Sequence, residues 1–164
     1  MNRQPVGRPT TVVIIPCGKR KVWRREPGRG PTPARDAYTG TPFCLARRFA
    51  ERFGDLYLVL SAKHGLLQPE DAVPEDYDVT FTRPETNPVG PELISAQLAS
   101  LLPHGRVHKV VALGGREYLE AISAACAPLG LEPAFPFAGL PVGKTLRAIK
   151  RALDHTPAAP RLRV

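Results

Sequence analysis

Three side chains in loop-like stretches of this sequence can move a proton or steady a developing charge: Asp36, His64 and Asp78. Asp36 stands in Ala34-Arg35-Asp36-Ala37-Tyr38, where a cation-rich stretch ends and a helix is about to start. It either orients a water and balances positive charge on a substrate, or serves only as an electrostatic or capping partner of the helix. His64 follows a buried apolar run, in Ser61-Ala62-Lys63-His64-Gly65. An imidazole there is a general acid or base near neutral pH, or a turn histidine bonded to the backbone. Asp78, in Tyr77-Asp78-Val79-Thr80-Phe81, has no helix to cap, which leaves a second catalytic acid or a buried structural acid paired with an arginine.

Cations accompany these acids. Lys19, Lys21, Lys63 and Arg116 suit phosphate groups, although Lys19-Arg20-Lys21 also fits a plain solvated turn. Cys17, at the same strand end, counts among the substrate-binding candidates; it is a nucleophile if its neighbouring cations lower the thiol pKa, and a small packing group otherwise. Tyr38 and Ser61 share the same loop ends and join the substrate-binding candidates, and Gly114-Gly115-Arg116 opens a helix directly after a strand, a setting for anion capture by backbone amides. Neither a GxGxxG fingerprint nor a phosphate loop is present: in Gly139-Leu140-Pro141-Val142-Gly143-Lys144-Thr145 the required first glycine would fall at Ala138, which excludes an ATPase of that kind.

The elements that must position these groups follow from the apolar pattern. Val12 to Ile15 is a β-branched run ending at Pro16, and Leu56 to Leu60 and Lys109 to Leu113 read as further buried strands, with Leu131 to Phe135 as a weaker fourth. Thr41 and Pro42 open a helix with Phe43, Ala46, Phe49, Ala50 and Phe53 at helical spacing, stopped by Gly54. Helices are also expected from Pro91 to before Pro103, from Glu117 to Ala127 and from Pro141 to Leu153, while Val22 to Thr41 reads as a loop of about twenty residues, a length usually tied to function or mobility. Strand and helix therefore alternate, which predicts an α/β fold in three α/β/α layers around a central, mostly parallel four-stranded sheet. In such a sheet the strand-to-helix loops emerge along one edge, and every motif above falls in those loops.

A chain of 164 residues with 43% hydrophobic and 23% charged residues is a single globular domain in length and composition. The expected domain runs from 11 to 155, with flexible stretches at 1–10 and 156–164 rich in Pro and Arg. The excess of 23 Lys+Arg over 15 Asp+Glu, a formal charge of +8, favours polyanionic partners, nucleic acid or nucleotides. Three cysteines without a CxxC or a metal-like His/Cys spacing support neither a disulfide framework nor a metal site, and no cofactor is expected. The absence of an apolar run near the roughly 20 residues that span a bilayer, and of a leader-like h-region, places the chain in the cytoplasm without a membrane partner. Composition leaves the oligomeric state open.

Taken in order, Pro16-Cys17-Gly18-Lys19-Arg20-Lys21, Ala34-Arg35-Asp36-Ala37-Tyr38-Thr39-Gly40-Thr41-Pro42-Phe43, Leu60-Ser61-Ala62-Lys63-His64-Gly65-Leu66-Leu67 and Tyr77-Asp78-Val79-Thr80-Phe81 resemble the motifs of short bacterial and phage proteins grouped as a domain of unknown function. Their shared pattern has a Cys-Ser-x-x-Lys strand end, a Leu-Tyr-Thr-Gly helix start, a Leu-Ser-Ala-x-x-Gly-Leu strand end and a Tyr-Asp pair. The positions that match are Cys17, Lys21, Asp36, Tyr38, Thr39, Gly40, Ser61, Lys63, Gly65, Tyr77 and Asp78, with Gly18 where Ser is common and Ala37 where Leu is common. More distantly, the first motif and the three layers resemble the uracil-DNA glycosylase superfamily and the core domain of archaeosine synthase. That resemblance, and not the charge, implies DNA over RNA as the partner; it also implies base recognition in a crevice and cleavage of an N-glycosidic bond, although the chain lacks a Gly-Gln-Asp-Pro motif after the first strand and a late His-Pro-Ser loop.

The resulting expectation is a base-processing enzyme, a glycosylase-like hydrolase of an N-glycosidic bond. Asp36 or Asp78 would stabilise the sugar cation, His64 would assist the leaving base, and Lys19, Lys21, Lys63 and Arg116 would hold phosphates. The alternatives are a nonenzymatic nucleic-acid-binding module and a small-nucleotide binding or transferase domain.

Overall fold

The β-branched run Val12-Val13-Ile14-Ile15 becomes the middle of strand β1 (Thr10–Pro16), and its pleat divides it between two cores. Val13 and Ile15 face one helical layer, and Val12 and Ile14 face the other. All four are fully buried, as expected of a central strand covered on both faces. The computed structural model describes residues 9–102 and 108–155. The tails expected at 1–10 and 156–164 lie outside the described residues except at their inner end, where Thr10 already belongs to β1.

Around β1 the sheet has the order β4-β3-β1-β6, with β3 at Leu56–Ser61, β4 at Gly65–Leu67 and β6 at His108–Ala112. Ile14 lies opposite Leu58 of β3 and Ala112 of β6, both parallel neighbours, whereas β4 folds back antiparallel on β3 with Leu66 opposite Leu60. Helices α2 (Thr41–Phe53) and α5 (Val142–His155) cover one face through Phe43, Phe49, Ile149 and Leu153. Helices α3 (Pro91–Leu101) and α4 (Arg116–Cys126) cover the other through Ile94, Leu98, Leu119 and Ile122. This is the mostly parallel α/β/α arrangement that the alternating pattern predicts.

Three local expectations are corrected. Leu131 to Phe135 is not the fourth strand: Pro133 interrupts it and Pro136 follows it, and only Ala134 bridges to Val111. The fourth strand is β4, three residues long, too short to carry a periodic signal. The stretch from Val22 to Thr41 is not a plain loop, because it holds a 3-10 turn (Val22–Arg24), strand β2 (Thr32–Pro33) and the single helical turn α1 (Ala34–Ala37). β2 pairs antiparallel with β5 (Ala72–Val73), so the segment after β1 is fastened to the segment after β4. Backbone bonds from Ala34 N–H to Asp71 O and from Arg35 N–H to Pro69 O, 2.9 and 3.0 Å, extend that clasp. Finally, Gly40 rather than Thr41 caps α2, which places Pro42 in the first turn, where no amide is needed.

The layer arrangement fixes where a crevice opens. β1 is followed by α2 on one face and β6 by α4 on the other, yet β1 and β6 are adjacent. Their carboxyl ends therefore part at a topological switch point, the usual ligand position in open α/β sheets.

Candidate functional site

At the end of β1 the chain turns through Gly18, whose φ of 79° is a left-handed conformation that a side chain would strain. That turn sends Lys19, Arg20 and Lys21 away from the sheet, and an antiparallel bridge between Lys21 and Tyr38 then ties the tip to the start of α2. Thr39 N–H reinforces it by donating to Arg20 O at 3.0 Å.

Lys21 is almost wholly buried. Its Nζ donates to Tyr77 O at 2.9 Å and to Lys19 O at 3.2 Å, lies 4.3 Å from the centroid of the Tyr77 ring and is 3.9 Å from Asp76. Burial pulls its pKa down, while Asp76 and Asp78 among its neighbours favour the charged form. The ammonium thus pins the Tyr77 segment against the β1 tip.

Beneath that pin runs a chain of hydroxyls. Ser61 Oγ accepts the Lys63 and His64 amides at 3.2 and 3.1 Å, which occupies both of its lone pairs. Its own proton must then go to Tyr77 Oη, 2.7 Å away, and Tyr77 Oη shares a further hydrogen bond of 2.6 Å with Tyr38 Oη. Burial raises the pKa of both phenols, so they stay protonated. Cys17 adjoins the chain with its Sγ 4.0 Å from Tyr118 Oη. Burial pushes the Cys17 thiol up, against hydrogen bonds from Tyr77 and Tyr118 and the charge of Lys21, so it is a protonated packing group rather than a nucleophile.

Above this floor opens a cleft of about 490 Å³, in the range of small-ligand sites, lined by Cys17, Gly18, Lys19, Lys21, Asp78 to Thr80, Thr82, Arg83 and Tyr118. Asp78 is exposed at its rim and bonds Arg83 at 2.8 Å, which holds its carboxyl below the ordinary range and keeps it ionised. Tyr118 reaches in from the first turn of α4; burial raises its pKa, and its hydroxyl meets Thr80 and Cys17.

The cleft therefore unites Cys17, Lys19, Lys21 and Asp78, with Ser61 and Tyr38 as a second layer beneath Tyr77. Lys63 is exposed and lies 5.6 Å from the Tyr77 ring centroid. The other candidates sit elsewhere. Asp36 pairs with Arg35 at 3.5 Å and Arg47 at 3.9 Å and lines none of the described clefts, so its geometry is that of a surface electrostatic partner. His64 packs edge-on against Tyr77 at 5.2 Å with Nε2 sealed from solvent and without a hydrogen bond, and burial and Lys63 lower its pKa. Gly114 and Arg116 line a separate, largely apolar cleft with Phe135, Phe137 and Leu140, and Arg116 pairs with Glu120 at 3.0 Å. Tyr118 and Arg83 lie outside the motifs, and Thr80 lies within Tyr77 to Phe81 without being singled out by it. The one available signal was that Tyr118 stands in the first turn of a helix that follows a strand end.

Among the described residues no group of His, Cys, Asp or Glu is placed to hold a metal ion, and no helix is long and apolar enough to cross a membrane. The model of a family of unknown function, DUF6884, matches residues 12–151, from β1 into α5. The chain belongs to the DUF6884 family. The DUF6884 region thus includes the whole cleft and both helical layers. The uncharacterized protein YfjM of Bacillus subtilis (strain 168) is 34% identical over 147 residues, which cover 87% of this chain and 94% of that protein. No solved structure matches the chain.

Proposed function

We propose that this DUF6884 protein binds one nucleotide unit in the cleft at the switch point and hydrolyses its N-glycosidic bond. The observation that carries the reading is an ionised carboxylate, Asp78, facing two lysines and a protonated phenol across one nucleotide-sized space. Breaking the bond from C1′ to the base leaves positive charge on the sugar, which a fixed carboxylate stabilises. Asp78 has that role, and Lys19 holds the phosphate. Tyr118 Oη donates a hydrogen bond to the departing base, which takes the bonding electron pair. A water then adds to C1′ and gives its proton to Asp78, from which it passes through solvent to the released base. Asp36 and His64, the other expected participants, have no part in this scheme.

Release of free base from nucleotides and oligonucleotides, separated by chromatography, tests the reading. Asp78→Asn and Tyr118→Phe should each slow release about 100-fold or more, the usual range for acid and donor groups. Absence of free base from normal, damaged and modified substrates alike overturns it. The pairing of Asp78 with Arg83 favours a second reading, a nonenzymatic module in which the acid is structural and the cations grip a nucleic-acid backbone.

A further inference from the structure

The central cleft is not isolated. Two more clefts adjoin it around the β1 tip: one of about 420 Å³ lined by Lys19, Lys21, Arg24 and Asp76 to Asp78, and one of about 440 Å³ lined by Gly18 to Arg20, Arg24 and Gly40 to Phe43. Lys19 borders all three, and Arg24 borders both outer ones. The last cleft contains no carboxylate and ends at the start of α2, a 13-residue helix whose cap makes no side-chain hydrogen bond. Arg20 lies against that start, since its Cβ is 3.7 Å from the place a Cβ on Gly40 would take.

Lys19, Arg20 and Arg24 are exposed, and among the described residues no carboxylate pairs with any of them. Arg29, Arg35, Arg47, Arg83 and Arg116 each pair with an acid, whereas Arg25, Arg48 and Arg147, likewise without a carboxylate partner among the described residues, line none of these clefts. Cations kept unpaired along a concave surface attract anions in series. The three clefts share Lys19 and gather these cations around one strand tip, and a base held in the central cleft has to be outside a duplex.

We infer that the substrate is a single-stranded polynucleotide, whose sugar-phosphate backbone runs from the central cleft past Lys19 and Arg24 to Arg20 at the start of α2. The inference rests on the proposed binding of a nucleotide unit in the central cleft and names the chain that carries that unit. Lys19 contacts the phosphate of the bound nucleotide, and Arg24 and Arg20 contact phosphates further along. Such contacts carry no sequence information and act through counterion release.

The test is fluorescence anisotropy of the full chain with a labelled single-stranded oligodeoxynucleotide, its duplex and a labelled nucleoside monophosphate, over a series of salt concentrations. The double variant Arg20→Gln/Arg24→Gln should bind the single strand more weakly and flatten the plot of log affinity against log salt by about 1.4, about 0.7 for each cation removed. Its affinity for the monophosphate should stay the same. Lys144→Gln/Lys150→Gln, which removes two exposed cations of α5 that line none of these clefts, should leave the slope unchanged. An unchanged slope in the Arg20/Arg24 variant, an equal loss with the α5 pair, an equal loss for the monophosphate, or duplex binding as tight as single-strand binding overturns the inference. Base release is scored apart. A flattened slope without any free base upholds the strand path and removes the hydrolase, while free base from nucleotides with an unaltered slope does the reverse.

Discussion

At the scale of residues, Tyr77 organises the site: its ring receives Lys21 and His64, its carbonyl accepts Lys21 Nζ, and its hydroxyl links Ser61 to Tyr38. Lys21→Met leaves two carbonyl acceptors without their charged donor. Loss of such a partner in a buried setting costs about 2 kcal/mol, read as a lower urea midpoint with an unchanged slope. The thiols give a second check. Cys17 and Cys126 are buried, with Cys126 pushed up to about 11, and Cys44 is exposed, so mass spectrometry after alkylation should find the native chain modified at Cys44 alone and the unfolded chain at all three. His64 gives a third. Its folded pKa lies below the ordinary value, so the unfolded chain binds this proton more tightly. Stability is unaffected above about pH 6.5 and is lost as the pH falls from there toward the lowered value. His64→Gln should therefore show a smaller drop in urea midpoint between pH 7.5 and pH 5 than the parent chain. Much of the cleft was legible residue by residue: Cys17, Lys19, Lys21 and Asp78 announce themselves by type and by position after apolar runs. His64 and Asp36 have the right chemistry but the wrong direction, because a turn amide bonded to Ser61 and a helix-flanking arginine decide where each points. Tyr118 looked like an ordinary helical residue, since nothing local says that α4 begins beside β1.

At the scale of elements, the hairpin from β3 to β4 shows what a short strand requires. Gly65 opens β4 with a φ of 75°, and Gln97 of α3 clamps the turn, accepting Leu66 N–H at 2.7 Å and donating to His64 O at 3.1 Å. A Cβ at position 65 would run into the Gln97 amide. Gly65→Ala combines backbone strain with displacement of that clamp, and a loss of about 2 kcal/mol is expected by urea denaturation. Gln97→Ala, which empties the space but removes the clamp, should cost less than Gly65→Ala. Neither β4 nor the β2–β5 clasp could be found by periodicity, because three-residue and two-residue strands offer no repeat and are made by partners far along the chain. The longer elements were legible for the opposite reason: β1 and β3 bury continuous apolar runs, and the four long helices bury residues at helical spacing.

At the scale of the whole molecule, one strand supplies both cores, so the two helical layers should not unfold separately. Ile14→Ala opens a void on the α3/α4 side, at a cost of about 2–5 kcal/mol, and should still give one urea transition with the same midpoint by fluorescence of Trp23 on the α2/α5 side and by circular dichroism. Two separated midpoints would show that the layers are independent. The sheet's two margins add something about behaviour at high concentration. On one side β4 is only three residues long and is followed by Pro69; on the other, Ala134 occupies the middle of β6, accepting Ala112 N–H at 2.9 Å and donating to Val110 O at 2.8 Å. A neighbouring copy finds little backbone left to pair with at either rim. The folded protein is therefore armoured against growth into fibres by strand addition, and heating or acid would have to strip a rim before such growth could start.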